Sequence, residues 1–205
     1  PLIDSGLAAG VYTQTTDVET EVNGLMTYDR AVNKFDVPRA AAAHARLYDP
    51  PSRLVTVMPT STKGNQQQWR YTKSRPGENW FAVDFDDSDW KAGAGGFGSA
   101  SSPAAIVGTE WTEPDIWLRR SLLIDGDPPA EGYWRIHHDE DAEVYVNGKL
   151  VQTFAGYTQS ATLVPLSDET IAALKGGRNE VAVHCRQTDG GQYIDLGILE
   201  AAGQQ

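Results

Sequence analysis

The 205-residue sequence has very little cysteine: Cys185 stands alone. An internal disulfide needs a second cysteine and a Cys-rich zinc module needs several, so both are excluded. One thiol does not decide the redox compartment. Because Cys185 follows Val181 and Val183 at a spacing of two, we expect it to be a small buried apolar residue.

Basic residues and long apolar runs are also scarce. The chain has 17 Lys and Arg against 28 Asp and Glu, a formal net charge of -11 and a pI near 4.7. Phosphate backbones and anionic lipids repel such a chain, so we expect neither nucleic acid nor a membrane as partner. No apolar run approaches the roughly 20 residues of a bilayer span. The first residues lack a basic region followed by an apolar stretch, so we expect any secretion signal to lie outside the sequence.

Tryptophan, tyrosine and glycine, by contrast, are plentiful. The chain has 6 Trp and 8 Tyr beside 5 Phe, with 20 Gly and 11 Pro. Amphipathic aromatic rings in a turn-rich chain suit surfaces that stack on sugars, and they also fill the cores of β-sandwiches. Both interpretations stay open, and for any single Trp the core is the more frequent one.

Residues 1–50 differ in pattern from the rest. The β-branched run from Gly10 to Asp17 predicts a strand, and an acidic loop follows it. Asp36 and Pro38 are typical of a helix start, and the Ala-rich segment from Arg39 to Tyr48 predicts the helix. Residues 1–50 therefore indicate a strand, a loop and a helix of an α/β unit, with residues 51–65 as a linker.

Residues 66–205 alternate apolar and polar residues with a period of two between Gly, Pro, Asn and Asp clusters. Asn147-Gly148 predicts a two-residue hairpin turn, because both central positions of a type I′ turn need positive φ. A short helix is expected from Ser167 to Leu174, with Ser167 as its N-cap. The pattern predicts a mainly β fold, a jelly-roll β-sandwich.

A series of spaced motifs gives the sandwich a family resemblance. In order they are Trp80-Phe81, residues 84–90, 95–98, 116–120, 141–148 and 174–183. The series resembles the galactose-binding-like β-sandwich of glycoside hydrolases, notably the family 2 β-galactosidase and β-glucuronidase group. The resemblance covers roughly residues 66–200 and implies a carbohydrate-binding or purely structural domain.

Residues 10–30 resemble the last strand and following loop of the family 2 (β/α)8 barrel, with Arg39 to Tyr48 as its closing helix. The resemblance implies a C-terminal fragment whose catalytic glutamates lie outside the chain, so that the fragment is no enzyme on its own. It implies a secreted or periplasmic bacterial protein. It places four residues at the rim of the parent's sugar pocket, although loop capping explains them equally: Tyr12, Gln14, Asp17 and Asn23.

A carbohydrate site is expected where the last two strands present polar residues away from the core. Sugars need fixed donors and acceptors beside an aromatic ring. The candidates are His137, Arg186, Gln192, Tyr193, Asp195 and Trp111. The alternative interpretation is a cross-strand pair of Arg186 with Asp195 beneath Tyr193.

An acidic turn at residues 139–141 or at residues 84–89 suggests a structural calcium ion, since calcium prefers oxygen ligands, and the candidate ligands are Asp139 and Asp141. For residues 86–88 the alternative is a turn whose side chains bond their own backbone. A transition-metal site is disfavoured, because the adjacent His137 and His138 point to opposite faces of a strand. We expect no other cofactor.

The sequence thus predicts an accessory domain of a glycoside hydrolase, structural or carbohydrate-binding, whose partners are a polysaccharide or oligosaccharide and the parent's catalytic barrel. An independent carbohydrate-binding module and a protein-interaction or adhesion sandwich are the alternatives. Sugar affinity distinguishes the module, and a large exposed apolar patch would favour the interaction domain.

Overall fold

A computed structural model describes residues 11–45 and 53–202, and the chain divides into two compact units, Pro1–Ser52 and Arg53–Gln205. In the first unit, helix α1 spans Val37–Ala45. The Asp36 carboxylate accepts a hydrogen bond from the Arg39 backbone N–H at 3.0 Å, which confirms the predicted helix start. The last predicted helical residues, 46–48, lie outside the described residues.

The strand predicted from Gly10 to Asp17 is wrong over the described residues 11–17. Residues 11–17 form one isolated bridge, Thr16 with Met26, and no ladder. The β-branched run has no neighbouring strand among the described residues of this unit, so propensity alone does not make it a strand.

The second unit is a mainly β sandwich with one short helix, α2, at Asp168–Ala173. Its strands are β1 Arg53–Met58, β2 Gln68–Thr72, β3 Lys91–Ala94, β4 Phe97–Gly98, β5 Thr109–Glu110, β6 Asp115–Ile124, β7 Gly132–Asp139, β8 Asp141–Val146, β9 Lys149–Phe154, β10 Thr162–Pro165, β11 Gly177–Arg186 and β12 Tyr193–Ala202. The predicted fold class is confirmed.

Two six-stranded sheets form this sandwich within the described residues. One, named the β7 sheet, has the order β10-β7-β12-β4-β5, with β1 also paired to β12; the other, named the β6 sheet, has the order β3-β2-β6-β11-β8-β9. All pairs are antiparallel except β4 with β5. Consecutive strands β11 and β12 therefore lie in opposite sheets.

The linker predicted at residues 51–65 needs a correction, because Arg53–Met58 is strand β1 of the β7 sheet. Its register runs from Arg53 opposite Ala202 to Met58 opposite Ile198. Met58 is fully buried. Both alternating faces of this six-residue strand carry apolar residues, Leu54 and Met58 on one and Val55 and Val57 on the other, so a period of two does not mark it.

The inner faces of the two sheets form the core. The predicted alternation holds: Val181, Val183 and Cys185 of β11 are fully buried against Ile194, Leu196 and Ile198 of β12. Burial raises the pKa of the Cys185 thiol, so it remains a neutral core group.

Two predicted local structures are confirmed. Asn147 and Gly148 have φ of 50° and 84° and join β8 to β9. Ser167 caps α2, its hydroxyl accepting from the Thr170 N–H at 3.1 Å.

Candidate functional site

The outer face of the β6 sheet carries a second apolar cluster, under a segment we name the cover, residues 75–90. Trp80 and Trp90 of the cover pack against Trp117 and Ala182 of the sheet. The Phe81 ring also stacks on Tyr145, with centroids 4.6 Å apart and planes 9° apart. Several tryptophans of the chain are therefore packing residues on the outside of a sheet.

Arg119 of β6 fastens the cover. The side chain is 2% exposed, and its Nε donates to the Asp87 carboxylate at 2.9 Å. Its Nη1 donates to the carbonyls of Trp80 at 2.6 Å and Ala82 at 3.0 Å. The guanidinium lies 5.4 Å from the centre of the Phe85 ring. The Arg119 guanidinium thus binds three residues of the cover at once. The ammonium group of a lysine could not do so.

The acidic cover motif is an internally bonded turn. The Ser88 N–H donates to Asp86 at 3.0 Å, and the Trp90 N–H donates to the Asp87 carbonyl at 2.9 Å. The hydrogen bond from the Ser88 backbone holds the pKa of Asp86 below its usual range. These acids therefore shape the cover.

A groove of about 590 Å³ opens where the cover begins, at the starts of β6 and β8 and the end of β11. We name it the outer groove. Its lining combines aromatic rings, arginines and carboxylates: Arg75, Pro76, Gly77, Glu78, Trp80, Asp115, Trp117, Glu143, His184 and Arg186. The volume lies within the roughly 300–1,000 Å³ of small-molecule sites.

The strand register places three lining residues in one row. Trp117, His184 and Glu143 are direct neighbours across β6, β11 and β8. The Trp117 and His184 rings stack with centroids 4.8 Å apart and planes 5° apart. The floor of the groove is therefore built on paired strands and is rigid.

Hydrogen bonds orient the polar groups of that row. His184 Nε2 lies 2.7 Å from Asp115 Oδ1, and Nδ1 lies 3.7 Å from Glu143 Oε2. Because a carboxylate only accepts, Nε2 donates in the shorter contact. The Tyr145 hydroxyl donates to Glu143 Oε2 at 2.9 Å. Burial and this carboxylate raise the pKa of Tyr145 to about 12, so the phenol stays a donor.

Arg186 occupies the next row, between Asp115 and Asp141. Within the described ranges 11–45 and 53–202, neither Arg75 nor Arg186 has a carboxylate within ion-pair distance. Both guanidiniums are exposed at the groove. Arg75 and Arg186 therefore have guanidinium N–H donors free to bind a ligand.

The sequence-predicted carbohydrate residues are divided between the two sheets. Arg186 ends β11 of the β6 sheet, whereas Tyr193 and Asp195 belong to β12 of the β7 sheet. Their outward side chains point away from opposite sides of the sandwich, so the expected single constellation and the Arg186–Asp195 pair do not form. The six-residue loop between the strands crosses between sheets instead of closing a hairpin.

The other predicted carbohydrate residues are buried. Trp111 is 0% exposed in the core, and Gln192 donates from Nε2 to the Glu113 carbonyl at 2.6 Å. His137 lies 4.5 Å from the Tyr193 ring, and burial lowers the pKa of His137. The Tyr193 hydroxyl donates to the Ile106 carbonyl at 3.2 Å. None of these side chains presents a surface for a sugar.

Asp195 is also buried, on the outer face of the β7 sheet. Its carboxylate accepts from the Ser61 backbone N–H at 2.8 Å. Burial raises the pKa of Asp195 to about 6, although the Ser61 hydrogen bonds and the charge of Arg120 act in the other direction. Its role is structural in this arrangement, because it is 7% exposed and binds the Ser61 backbone.

Asp139 and Asp141 do not converge as a calcium site. Gly156 N–H donates to Asp141 at 2.7 Å, while the Asp139 carboxylate lies against Ser102 and Gly191. The two residues end and begin strands of opposite sheets, which separates their side chains. Across the described residues, no group of three or more His, Cys, Asp or Glu side chains could hold a metal ion.

Three of the four predicted barrel-rim residues meet within the first unit. The Tyr12 hydroxyl donates to the Asn23 carbonyl at 2.8 Å, and Asp17 accepts from the Gly24 N–H at 2.9 Å and from Lys34 Nζ. A Cβ at Gly24 would lie 2.2 Å from the Thr16 backbone, so only glycine fits this turn. Gln14, the fourth residue, is half-buried and takes part in none of these hydrogen bonds. Within this unit the contacts are those of loop capping; a rim role in a larger enzyme stays a prediction.

The outer groove was not predicted from the sequence. Arg186 was among the predicted carbohydrate residues, but the groove also needs residues that are distant in sequence. His184 contacts Asp115, which is 69 residues away, and Glu143, which is 41 residues away. The sequence signal for these residues was the alternation that turns every second side chain of β6 and β8 outward. It does not tell which strands are neighbours.

No helix among the described residues is both long and apolar enough to cross a membrane. No protein family model matches the sequence. No curated protein matches it either.

The fold defines a class: a two-sheet β-sandwich of the kind that solved β-glucuronidase structures contain. A structure of Bacteroides uniformis β-glucuronidase matches with a TM-score of 0.50 at 17% identity, over 72% of this chain and 18% of that chain. A calcium-binding mutant of B. uniformis β-glucuronidase 2 matches with a TM-score of 0.50 at 18% identity, again over 72% of this chain and 18% of that chain. A β-glucuronidase described as belonging to glycoside hydrolase family 2 matches with a TM-score of 0.47 at 14% identity, over 74% of this chain and 18% of that chain.

The resemblance stated from the sequence motifs is thereby confirmed at the level of fold. Identities of this size show the shared fold alone. The chain spans about a fifth of the length of these solved enzymes. Their activity is not transferred to this chain by the match.

Proposed function

We propose that the chain is a non-catalytic accessory region of a glycoside hydrolase, and that its sandwich contacts carbohydrate. The observation that carries the proposal is the fold match, which covers most of this chain and 18% of a β-glucuronidase. A sandwich that forms a minor part of such an enzyme serves to support the catalytic domain or to hold polysaccharide close to it.

The outer groove supports the carbohydrate part of this proposal. It combines ring faces with fixed donors and acceptors on rigid strands. Sugars are recognised by such combinations. The proposed partners are thus a polysaccharide or oligosaccharide and the catalytic barrel of a parent enzyme. The proposed location is outside the cytoplasm of a bacterium, secreted or periplasmic.

Two measurements on the 205-residue chain test this function. The first is turnover of nitrophenyl β-glucuronide and β-galactoside, for which we expect no product above buffer. The second is adsorption to insoluble polysaccharides and retardation in gels containing soluble ones, for which we expect saturable binding.

Each measurement has a contradicting result. Turnover that is lost in Asp115→Asn or Glu143→Gln would show a catalytic domain, because those carboxylates face the groove. Absence of adsorption to every polysaccharide would contradict the carbohydrate role and favour a purely structural or protein-interaction sandwich.

A further inference from the structure

We propose that the outer groove is a binding site for a neutral, hydroxyl-rich saccharide, with Arg186 and Glu143 as its principal polar contacts. This inference rests on the proposed function and assigns it to one surface. It moves the site from β12, where the sequence placed it, to the opposite sheet.

The charges of the groove favour a neutral ligand. Two guanidiniums, of Arg75 and Arg186, stand beside three carboxylates, of Glu78, Asp115 and Glu143. An anionic ligand would meet the carboxylates and a cationic ligand the arginines, so either would encounter repulsion. A hydroxyl both donates and accepts, and it can satisfy both kinds of group.

Two polar groups of the groove, those of His184 and Glu143, are fixed before a ligand arrives. Asp115 and Tyr145 hold His184 and Glu143 by contacts of 2.7 and 2.9 Å, and Trp117 stacks on the imidazole. All of these residues lie on strands. Little side-chain freedom is then lost on binding, which favours recognition of a flexible, strongly hydrated sugar.

The exposed ring surface is small, and this limits affinity. Trp80 and Trp117 are each 7% exposed, whereas the His184 side chain is 22% exposed. A sugar therefore contacts the imidazole and the edges of the indoles. With hydrogen bonds dominant, we expect a Kd on the order of 0.1–1 mM.

The test is calorimetric or NMR titration of the full chain with cellohexaose, xylohexaose, mannohexaose and, as the acidic arm, trigalacturonic acid. The variants are Arg186→Ala and Glu143→Gln. Arg135→Ala is the matched control, since Arg135 is an exposed strand arginine on the β7 sheet. Circular dichroism and the thermal midpoint verify that each variant is folded.

We expect binding of at least one neutral hexasaccharide by the wild-type chain. Arg186→Ala and Glu143→Gln should each weaken it by about tenfold or more, because each removes a charge-assisted hydrogen bond. Arg135→Ala should leave the Kd within about twofold. Arg186→Lys, which keeps the charge without the fork, should give an intermediate Kd.

Three results would overturn the inference. They are no binding of any neutral hexasaccharide, binding of the acidic sugar alone, and neutral binding that both groove variants leave unchanged. The last result would leave the carbohydrate role intact at another surface. The accessory role itself is decided separately by the turnover assay, so the two proposals fail distinguishably.

Discussion

At the scale of single residues, buried polar groups determine much of this sandwich. Asn179 is fully buried, and its amide oxygen accepts from Asn147 Nδ2 at 2.8 Å and the Lys175 N–H at 3.0 Å. Its amide nitrogen donates to the carbonyls of Lys175 and Gly177 at 2.8 and 3.0 Å. One side chain thereby joins the β8–β9 turn to the segment that leads into β11.

Replacing Asn179 by Ala should be strongly destabilising. Four partner groups lose their hydrogen bonds to a fully buried side chain, so we expect the free energy of unfolding to fall by about 2–3 kcal/mol. Urea unfolding followed by Trp fluorescence measures it. The control is Asn65→Ala, an exposed site expected to change stability by less than about 0.5 kcal/mol. Equal effects at the two positions would contradict this account.

Asp195 should make stability depend on pH. Its pKa is about 6 in the folded chain against 3.8 for the ordinary side chain, so the folded state binds the proton more tightly. Stability from this group is therefore present below pH 4 and is lost as the pH rises towards 6. The Asp195→Asn variant has no titrating carboxyl group at this position, so it does not lose this stability as the pH rises. Its stability relative to wild type should rise by about 2–3 kcal/mol between pH 3.5 and 7.

Asp86→Asn is the control with the opposite sign. The Ser88 backbone hydrogen bond lowers the pKa of Asp86, so its stabilisation is present above the ordinary pKa and is lost on acidification. The stability of this variant relative to wild type should fall as the pH rises. Denaturant titrations across the same pH series compare the two, and parallel pH profiles would contradict the assignment.

At the scale of elements, the cover is a segment without regular strands that is held to the β6 sheet. Trp80, Trp90 and Phe85 supply its apolar contacts, and the Arg119 fork supplies its polar ones. One wall of the outer groove belongs to this segment. The shape of the groove therefore depends on how firmly Arg119 holds it.

Arg119→Lys should loosen the cover while the sandwich stays folded. A lysine keeps the charge but cannot bond Asp87, Trp80 and Ala82 together. We expect amide hydrogen exchange in residues 80–90 to accelerate by about tenfold or more, with exchange in β11 changed far less. Arg135→Lys is the exposed control. Uniform acceleration throughout the sandwich would indicate global destabilisation instead.

Elements with a local signal were predictable from the sequence. Asn147-Gly148 encodes its turn through backbone φ, and Ser167 encodes a helix start through one hydrogen bond. The run from Gly10 to Asp17 shows the limit, because a strand also needs a partner. Arg53–Met58 shows the converse: pairing with β12 makes a strand where the pattern is weak.

At the scale of the whole molecule, the second unit contains a complete core. Every residue of the two apolar clusters lies between Met58 and Ile198. The core includes both inner sheet faces and the residues beneath α2. This unit meets the requirement for independent folding, namely a hydrophobic core of its own.

A fragment of residues 53–205 should therefore fold without residues 1–52. We expect a β-type far-UV spectrum, a near-UV aromatic signal and one cooperative thermal transition. The full chain measured in parallel is the reference. A fragment with a broad transition and no near-UV signal would contradict the division at Ser52.

Features that depend on neighbours along the chain could be predicted from the sequence alone. These are the period of two, the hairpin turn, the helix caps, the buried thiol and the family resemblance of the sandwich. Each follows from local backbone preference or from one alternating face. The acidic charge also follows from composition alone.

Which strands are neighbours became clear from the three-dimensional fold. The six residues after Arg186 suit a hairpin as well as a crossing between sheets, and the crossing separates Arg186 from Tyr193 and Asp195. It joins Arg186 and His184 to Asp115, Trp117 and Glu143 instead. Sheet pairing is set by burial of whole faces over long sequence separations, and no local pattern contains that information.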